Sequence, residues 1–368
     1  MSKILLISNH GLGFYNFKKE LMGRLLSEGY EVHFAVPYDE KLEEIISMGA
    51  TYHRISIDRR GINPIEDIKL LFHFNKLIGE IKPDLILSHT IKPNIYASLA
   101  AKYRKIPYIN NITGLGSALQ NNNFLSKILI LLYKISLSSS SAIFFENEGN
   151  CKYFEQNKIG NKTKYITVPG AGVNIAKYMP FENKNDMDKL IFLFIGRIMK
   201  DKGIDEYIEA AKLIKKEKDN IRFQVLGFFD DDTYKNKIEE FERSGVIEYL
   251  GVSDDTRLEM KNADCIVLPS YHEGMSNVLL EGAAMGKPLI TTNIHGCKEA
   301  VDDGENGFLC NPKDAESLKE AINKFINLSE AQRKEMGRLS REKVVKEFDR
   351  NIVVDQYINK IDEIIYIS

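Results

Sequence analysis

The feature that most constrains this chain is an alternation of short apolar segments with longer amphipathic ones. Residues 3–8 (KILLIS) precede a helical pattern from Phe14 to Ser27, and residues 31–36 (EVHFAV) precede another that starts at Glu40. Near-continuous apolar segments of this kind are typical of parallel strands that are covered by helices on both faces. The sequence therefore predicts an α/β fold built on parallel sheets.

The alternation stops at a segment rich in turn-forming residues and then restarts. Residues 168–180 (VPGAGVNIAKYMP) combine glycine and proline breaks, and a polar run follows at 182–189 (ENKNDMDK). The 368 residues also exceed what one core usually serves, since single cores stop growing near ~250 residues. We predict two Rossmann-like, doubly wound domains, at 1–174 and 175–350, and a C-terminal helix at 351–368 that crosses back to the first domain.

The amino-acid composition indicates which class of protein this is. Hydrophobic residues make up 43% and charged residues 28%, which is typical of a globular enzyme rather than a disordered or fibrous chain. The four cysteines form no C-x-x-C pair, and no segment approaches the ~20 apolar residues of a membrane span. We therefore expect a cytoplasmic protein that contacts the inner membrane face peripherally, and no nucleic-acid partner.

Charge is distributed unevenly between the two halves. Residues 1–175 carry 21 Lys/Arg against 15 Asp/Glu, whereas the remainder carries 29 against 37. An anionic partner for the first half, such as a phospholipid surface, and a chance scatter of surface charge are both compatible with this difference. The apolar segment 124–145 is interpreted as a core helix followed by a buried strand, although Lys127 and Lys134 could dock its helix on anionic lipid.

The strongest functional signal follows one apolar strand of the second domain. Residues 272–288 (HEGMSNVLLEGAAMGKP) come after CIVLP at 265–269, and a helix is predicted from Ser276. Gly274, Ser276 and Asn277 are small or capping residues, so free backbone N–H groups would face an anion at the helix N-terminus. We expect a diphosphate there.

Two glutamates flank this predicted anion site. Like charge keeps Glu273 and Glu281 from phosphate, so we expect both to accept hydrogen bonds from hydroxyl groups, of a sugar for Glu273 and of a ribose for Glu281. The alternative makes Glu281 a solvated helix residue and Glu273 a partner of the helix dipole.

Two basic residues follow the first strand of the second domain. Arg197 and Lys202 lie in GRIMKDKG at 196–203, and ligands of open α/β sheets bind at the carboxyl ends of the strands. A basic pair on a loop is usually solvent-exposed, but together with the two glutamates it indicates neutralisation of a departing diphosphate.

G-R-x4-K-G at 196–203, followed by E-G-M-S-N-V-x-L-E at 273–281, resembles the retaining glycosyltransferases of family 4, which have the GT-B fold of two Rossmann-like domains facing a central cleft. The resemblance covers nearly the whole chain. SHTIKPNIYASLAA (88–101) and NITGLGS (111–117) are similar to a bacterial subgroup that builds capsule, O-antigen or glycoprotein glycans on polyprenyl diphosphate. That subgroup includes N-acetylgalactosaminyltransferases that act on undecaprenyl-diphosphate-linked bacillosamine.

The resemblance implies transfer of a hexose or N-acetylhexosamine from a nucleotide sugar, expected to be UDP-linked, to a polyprenyl-diphosphate-linked saccharide. It implies contact of Glu273 with the transferred sugar. The nucleobase is expected near Tyr249, Leu250 and Gly251. The other implied donor contacts are Arg197, Lys202, Gly274, Met275, Ser276, Asn277 and Glu281.

Fewer residues of the first domain are implicated. Gly11 and Gly13, in the NHGLG loop, would let backbone approach the diphosphate or the acceptor. His89, at a strand end, is interpreted either as structural or as a catalytic-site residue that orients the acceptor or the donor sugar. Lys92 and Asn94 are predicted to contact the acceptor phosphate.

A front-face displacement fits these residues, because no carboxylate nucleophile is identified. The leaving diphosphate would take the acceptor's proton, and the protein would contribute positioning and electrostatics. The run Asp230, Asp231 and Asp232 imitates a D-x-D metal site, but Arg197 and Lys202 supply the charge that a metal would bring, so neither a metal nor a cofactor is expected. A nucleotide-sugar 2-epimerase and a non-catalytic nucleotide-sugar-binding protein are the alternatives.

Overall fold

Two units make up the chain. The computed structural model describes residues 1–59, 61, 63–115, 119, 124–181, 189–218, 220–230 and 232–367. Unit 1 comprises Met1–Ala171 and Asn351–Ser368, and unit 2 comprises Gly172–Arg350. The predicted boundary at 174/175 lies three residues further along the chain, and most of the polar run at 182–189 falls outside the described residues.

Unit 1 contains a seven-stranded parallel sheet in the order β3-β2-β1-β4-β5-β6-β7. Its strands are β1 (Lys3–Ile7), β2 (Glu31–Val36), β3 (Thr51–Arg54), β4 (Leu85–His89), β5 (Tyr108–Ile112), β6 (Ala142–Phe145) and β7 (Tyr165–Thr167). Its helices are α1 (Gly11–Ser27), α2 (Leu42–Ser47), α3 (Pro64–Ile81), α4 (Ile91–Arg104), α5 (Phe124–Ser136) and α6 (Glu148–Gln156). A 3₁₀ turn at Lys162–Lys164 precedes β7.

Unit 2 contains a six-stranded parallel sheet in the order β10-β9-β8-β11-β12-β13. Its strands are β8 (Leu190–Ile195), β9 (Ile221–Leu226), β10 (Glu248–Tyr249), β11 (Cys265–Leu268), β12 (Leu289–Thr292) and β13 (Gly307–Cys310). Its helices are α7 (Ile204–Lys215), α8 (Thr233–Arg243), α9 (Arg257–Asn262), α10 (Asn277–Ala284), α11 (Ala315–Ile326) and α12 (Glu330–Glu347), with 3₁₀ turns at Lys200–Lys202 and Lys298–Ala300.

The side chains of β1 show why the sheets are doubly covered. Ile4 and Leu6 belong to one buried apolar cluster, and Leu5 and Ile7 belong to another. Successive side chains of a strand point to opposite faces, so a continuous apolar strand requires helices on both sides. The predicted α/β architecture is confirmed.

The final helix, α13 (Arg350–Ile367), packs within unit 1. Its Val353, Tyr357 and Ile361 lie in the same buried cluster as Ile4 and Leu6 of β1. An apolar stripe at helical spacing therefore supplies part of the core of a sheet whose last strand ends at Thr167, far earlier in the chain.

The helix that follows β1 starts earlier than its amphipathic pattern indicates. It begins at Gly11 rather than Phe14, because the His10 side chain accepts a hydrogen bond from the backbone N–H of Gly13 and caps the helix. The predicted NHGLG loop is therefore largely the cap and first turn of α1. A Cβ on Gly11 would lie 2.3 Å from the carbonyl oxygen of Pro37, so close packing accounts for this glycine.

Candidate active site

The turn that carries Lys202 packs tightly against the loop after β11. Gly203 closes the 3₁₀ turn with a φ of +75°, and a Cβ there would lie 2.0 Å from the carbonyl oxygen of Pro269. The backbone N–H of Tyr271 donates to the carbonyl oxygen of Asp201 at 2.8 Å. Glycine is required at position 203 both for the positive φ and for this close approach.

This packing brings together two residues that the sequence separates by 71 positions. Nζ of Lys202 donates to Oε1 of Glu273 at 2.5 Å, and their side chains are only 18% and 12% exposed. A partly buried, charge-assisted hydrogen bond of this kind is stronger than a surface ion pair. Of the predicted basic and acidic residues, Lys202 and Glu273 thus form one pair beside the N-terminus of α10.

The N-terminus of α10 is capped as predicted. The Ser276 side chain accepts a hydrogen bond from the backbone N–H of Leu279, and the N–H of Ser276 donates to the carbonyl oxygen of Gly296 at 2.8 Å. These two N–H groups are therefore already used. An anion at this helix end would depend on the N–H groups of Asn277 and Val278, together with Lys202. Gly274 and the buried Met275 lie in the preceding loop.

Glu281 lies within α10, and its side chain is partly buried. Burial raises the pKa of this carboxyl to about 7, against opposing effects of a hydrogen bond with Tyr178 and the charges of Lys177 and Arg350. Carboxyl groups whose pKa is raised toward neutral pH are often found at functional sites. Its predicted ribose contact stays a prediction.

We expect donor binding to depend on pH through Glu281. The pKa in the free protein is raised, so the carboxyl is mostly neutral at pH 6 and ionised at pH 8. Two ribose hydroxyls donate better to the ionised form, and affinity for a UDP-sugar should rise about five- to tenfold between these pH values, since one pKa unit corresponds to tenfold. Calorimetric titration of wild type and Glu281→Gln tests this, because the variant should lose the dependence; equal slopes would contradict the assignment.

Arg197 precedes the 3₁₀ turn Lys200–Lys202 in the chain. Its Nη1 donates to Oδ1 of Asp230 at 3.1 Å, and its side chain is 41% exposed. Asp232 stands at the N-cap position of α8, and Asp231 lies outside the described residues. Within the described ranges, no group of three or more His, Cys, Asp or Glu side chains is arranged to hold a metal.

The residues predicted for the nucleobase lie at the end of β10, beside the end of β9. The Tyr249 hydroxyl donates to the carbonyl oxygen of Gly227. The backbone N–H of Gly227 in turn donates to the carbonyl oxygen of Gly251. Gly227 itself approaches Gly196, since a Cβ would lie 1.8 Å from the Gly196 carbonyl oxygen. These contacts place Tyr249, the partly exposed Leu250 and Gly251 at the same edge of the sheet as the turn that begins with Gly196.

The two predicted acceptor contacts already have partners within unit 1. Nζ of Lys92 donates to Oδ1 of Asp67 at 2.8 Å, and both side chains are largely buried. Asn94 is 1% exposed; its Nδ2 donates to the carbonyl oxygen of Asn111, and its Oδ1 accepts from Ser88. Asn94 thus links α4 to β4 and β5, and the acceptor contact of both residues stays a prediction.

His89 ends β4 and is buried with side chains that sequence reasoning did not single out. Lys18, Glu146 and Tyr357 lie around it, from α1, the end of β6 and α13. The available signals were a lysine within the buried face of α1 and a glutamate directly after the apolar strand AIFF.

Comparison with known proteins identifies the family. Residues 3–147 match the model described as "Glycosyl transferase 4-like", and residues 177–343 match "Glycosyl transferases group 1". The uncharacterized glycosyltransferase MJ1178 of Methanocaldococcus jannaschii is 31% identical over 70% of this chain and 70% of its own length. The chain belongs to this glycosyltransferase family. The suspected resemblance is thereby confirmed.

Two further similarities extend over the whole glycosyltransferase. It is 29% identical to N,N'-diacetylbacillosaminyl-diphospho-undecaprenol alpha-1,3-N-acetylgalactosaminyltransferase of Campylobacter jejuni, over 99% of both chains. The crystal structure of Anabaena Alr3699/HepE in complex with UDP covers 99% of this chain and 100% of its own, with a TM-score of 0.78 at 16% identity. That likeness concerns the fold, and the predicted GT-B fold is confirmed.

Proposed function

We propose that this glycosyltransferase moves a hexose or N-acetylhexosamine from a UDP-sugar to a polyprenyl-diphosphate-linked saccharide, with retention of anomeric configuration and without a metal or cofactor. The observation that carries the proposal is the Lys202–Glu273 pair beside the N-terminus of α10. The Campylobacter relative, whose name specifies a saccharide on undecaprenyl diphosphate, supports the acceptor class.

The pair suits a reaction in which charge develops on a leaving diphosphate. Lys202 would neutralise that charge together with Arg197, whose guanidinium can form two parallel hydrogen bonds to phosphate oxygens. Glu273, beside Lys202, would accept hydrogen bonds from hydroxyls of the transferred sugar and hold its anomeric carbon toward the acceptor. Because these side chains stabilise the leaving group, no metal ion is required in this scheme.

Retention follows if the acceptor hydroxyl attacks from the face that the diphosphate leaves. The bond from the anomeric carbon to the diphosphate oxygen breaks, the bond to the acceptor oxygen forms, and the acceptor proton passes to the departing diphosphate. The protein then contributes orientation and preorganised charge rather than a nucleophile.

The decisive experiment incubates the purified protein with a panel of radiolabelled UDP-sugars, a short-chain polyprenyl-diphosphate-linked monosaccharide and EDTA. The expected product is an extended lipid-linked saccharide whose new linkage, measured by NMR coupling, keeps the donor's configuration. Isomerised UDP-sugar would indicate an epimerase, and binding without product would indicate a sensor. Activity that requires added Mn²⁺ would contradict metal independence.

We also propose that unit 1 contacts the membrane that holds such an acceptor, through the exposed face of α5. Phe124, Ile128, Leu131 and Ile135 form one apolar stripe at helical spacing, with exposed fractions from 39% to 78%. The exposed Lys127 and Lys134 belong to the same helix. None of the helices in the described part of the chain is long and apolar enough to span a bilayer.

Basic residues continue from the end of α5. Lys102 donates to the carbonyl oxygen of Ile135, and together with Lys105 and Lys164 it lines one open pocket. An apolar stripe combined with lysines is complementary to a bilayer that contains anionic lipid, where each basic residue near the surface contributes about 1 kcal/mol.

Replacing Leu131 with glutamate should reduce binding to anionic vesicles at least tenfold. The side chain is exposed, so the change should leave the fold intact while it places a charge in the apolar stripe. Leu258→Glu, at an exposed leucine of unit 2, is the matched control. Sedimentation with phosphatidylglycerol vesicles measures both, and equal binding by the two variants would contradict this surface.

A further inference from the structure

A buried polar cluster lies at one edge of the unit 1 sheet. His89 is the last residue of β4, Asn111 pairs with it in register on β5, and Glu146 directly follows β6. These strands are parallel neighbours, so all three residues stand at their carboxyl ends, where α/β sheets bind ligands. Nδ2 of Asn111 donates to Oε1 of Glu146 at 3.3 Å.

Two helices close the cluster. Tyr357 of α13 stacks on Phe144 with ring centroids 4.2 Å apart and meets the His89 ring at 6.5 Å. Nζ of Lys18, on α1, lies 5.0 Å from the centre of the Tyr357 ring. Each of these polar side chains is at least nine-tenths buried.

Several polar atoms of the cluster have no hydrogen-bond partner. Within the described part of the chain, both ring nitrogens of His89, Oδ1 of Asn111 and the Tyr357 hydroxyl have no hydrogen-bond partner. Buried polar groups are normally paired, and an unpaired one costs stability. Buried polar groups that the fold leaves unpaired are found preferentially at functional sites.

The charges define what kind of ligand fits. The carboxylate of Glu146 would repel a phosphate, and the ammonium group of Lys18 would repel a cation. Burial raises the pKa of Glu146 to about 7, with Lys18 and the Asn111 hydrogen bond acting against the rise. A neutral group that both donates and accepts hydrogen bonds satisfies this set, and a hydroxyl does so, having one donor and two acceptor positions.

We propose that Lys18, His89, Asn111, Glu146 and Tyr357 form a site in unit 1 that binds hydroxyl groups of a saccharide. A hydroxyl donates to Glu146 or to Oδ1 of Asn111 and accepts from the Tyr357 hydroxyl. That the saccharide is a substrate rests on the proposed function, and the transferred sugar and the acceptor sugar present the same chemistry to this site.

Tyr357→Phe separates binding from folding. The variant keeps the ring stacked on Phe144 and removes only a buried, unpaired hydroxyl, so its melting temperature should equal or exceed that of wild type. The KM for one saccharide substrate should nevertheless rise at least fivefold. A variant with a lowered melting temperature and unchanged KM values would overturn the proposal.

Glu146→Gln tests the carboxylate, and the exposed Glu148→Gln is its matched control two residues away. KM is measured separately for the UDP-sugar and for the lipid-linked acceptor. A rise of tenfold or more for the acceptor alone assigns the site to the acceptor, and a rise for the donor alone assigns it to the transferred sugar. Changes in kcat alone, or equal effects in both variants, overturn the site.

A binding measurement keeps this proposal separate from the transfer reaction. Saturation-transfer NMR with N,N'-diacetylchitobiose and with the UDP-sugar should show contacts to wild type that Tyr357→Phe weakens. If wild type binds a saccharide in this way but transfers none, the proposed function fails and the site stands. If wild type transfers sugar and Tyr357→Phe matches it in every KM and NMR contact, the site alone fails.

Discussion

Replacing Lys202 with alanine lowers kcat by about a hundredfold or more while the protein stays folded. The substitution removes positive charge from the leaving diphosphate, and groups that stabilise developing charge are typically worth about 3–4 kcal/mol. It also leaves Glu273, only 12% exposed, without the lysine that donates to it. Steady-state kinetics with a saturating UDP-sugar measures the loss.

Two further variants separate catalysis from pairing. Lys200→Ala removes an exposed lysine from the same 3₁₀ turn and should retain wild-type kcat. Lys202→Ala combined with Glu273→Gln removes the unpaired charge as well. If the double variant were as active as Glu273→Gln alone, Lys202 would serve only to neutralise Glu273; a further loss relative to Glu273→Gln supports its action on the diphosphate. Arg197→Ala should lower kcat in the same direction.

Replacing Gly203 with alanine should destabilise unit 2 by roughly 2–5 kcal/mol and abolish measurable donor binding. A positive φ costs alanine about 1–2 kcal/mol, and overpacking typically adds 1–3 kcal/mol. The new Cβ would meet the backbone of Pro269 at 2.0 Å, so the Lys202 turn would have to move away from the loop that carries Glu273. Urea unfolding and UDP-sugar titration measure the two effects.

Gly245→Ala is the matched control. Gly245 has a φ of +73°, almost the value at Gly203, but a Cβ there meets no atom within 4 Å. It should therefore show the conformational cost of about 1–2 kcal/mol and bind donor normally. A loss of donor binding as large as that of Gly203→Ala would mean that the close approach to Pro269 is not what positions the site.

The fold was predictable because its signals are local. Apolar strands such as β1 and β8 alternate with amphipathic helices, and the residue pattern of each segment indicates whether it is a strand or a helix. The apolar strands also require cover on both faces of the sheet. Ser276 could likewise be recognised as a helix cap from its neighbours alone. The start of α1 was misplaced by three residues because His10 is an unusual capping side chain.

The site was only partly predictable. Arg197, Lys202, Glu273 and Glu281 were singled out, but their partners were not: Lys202 pairs with Glu273 itself, Arg197 with Asp230, and Glu281 with Tyr178. Spacing along the chain carries no information about such pairs, because they depend on which strand ends lie next to each other in the sheet.

The amino-acid order by itself determined two parallel sheets, their helices, and a motif at one strand end that suits a diphosphate. Only the tertiary structure decided that α13 returns to bring Tyr357 against His89, and that Lys18 and Glu146 meet in the same buried place. The reason is physical: periodicity reports what a segment does with its own neighbours, whereas burial and charge at a site depend on residues that are far apart in the chain and meet only when the sheet is assembled.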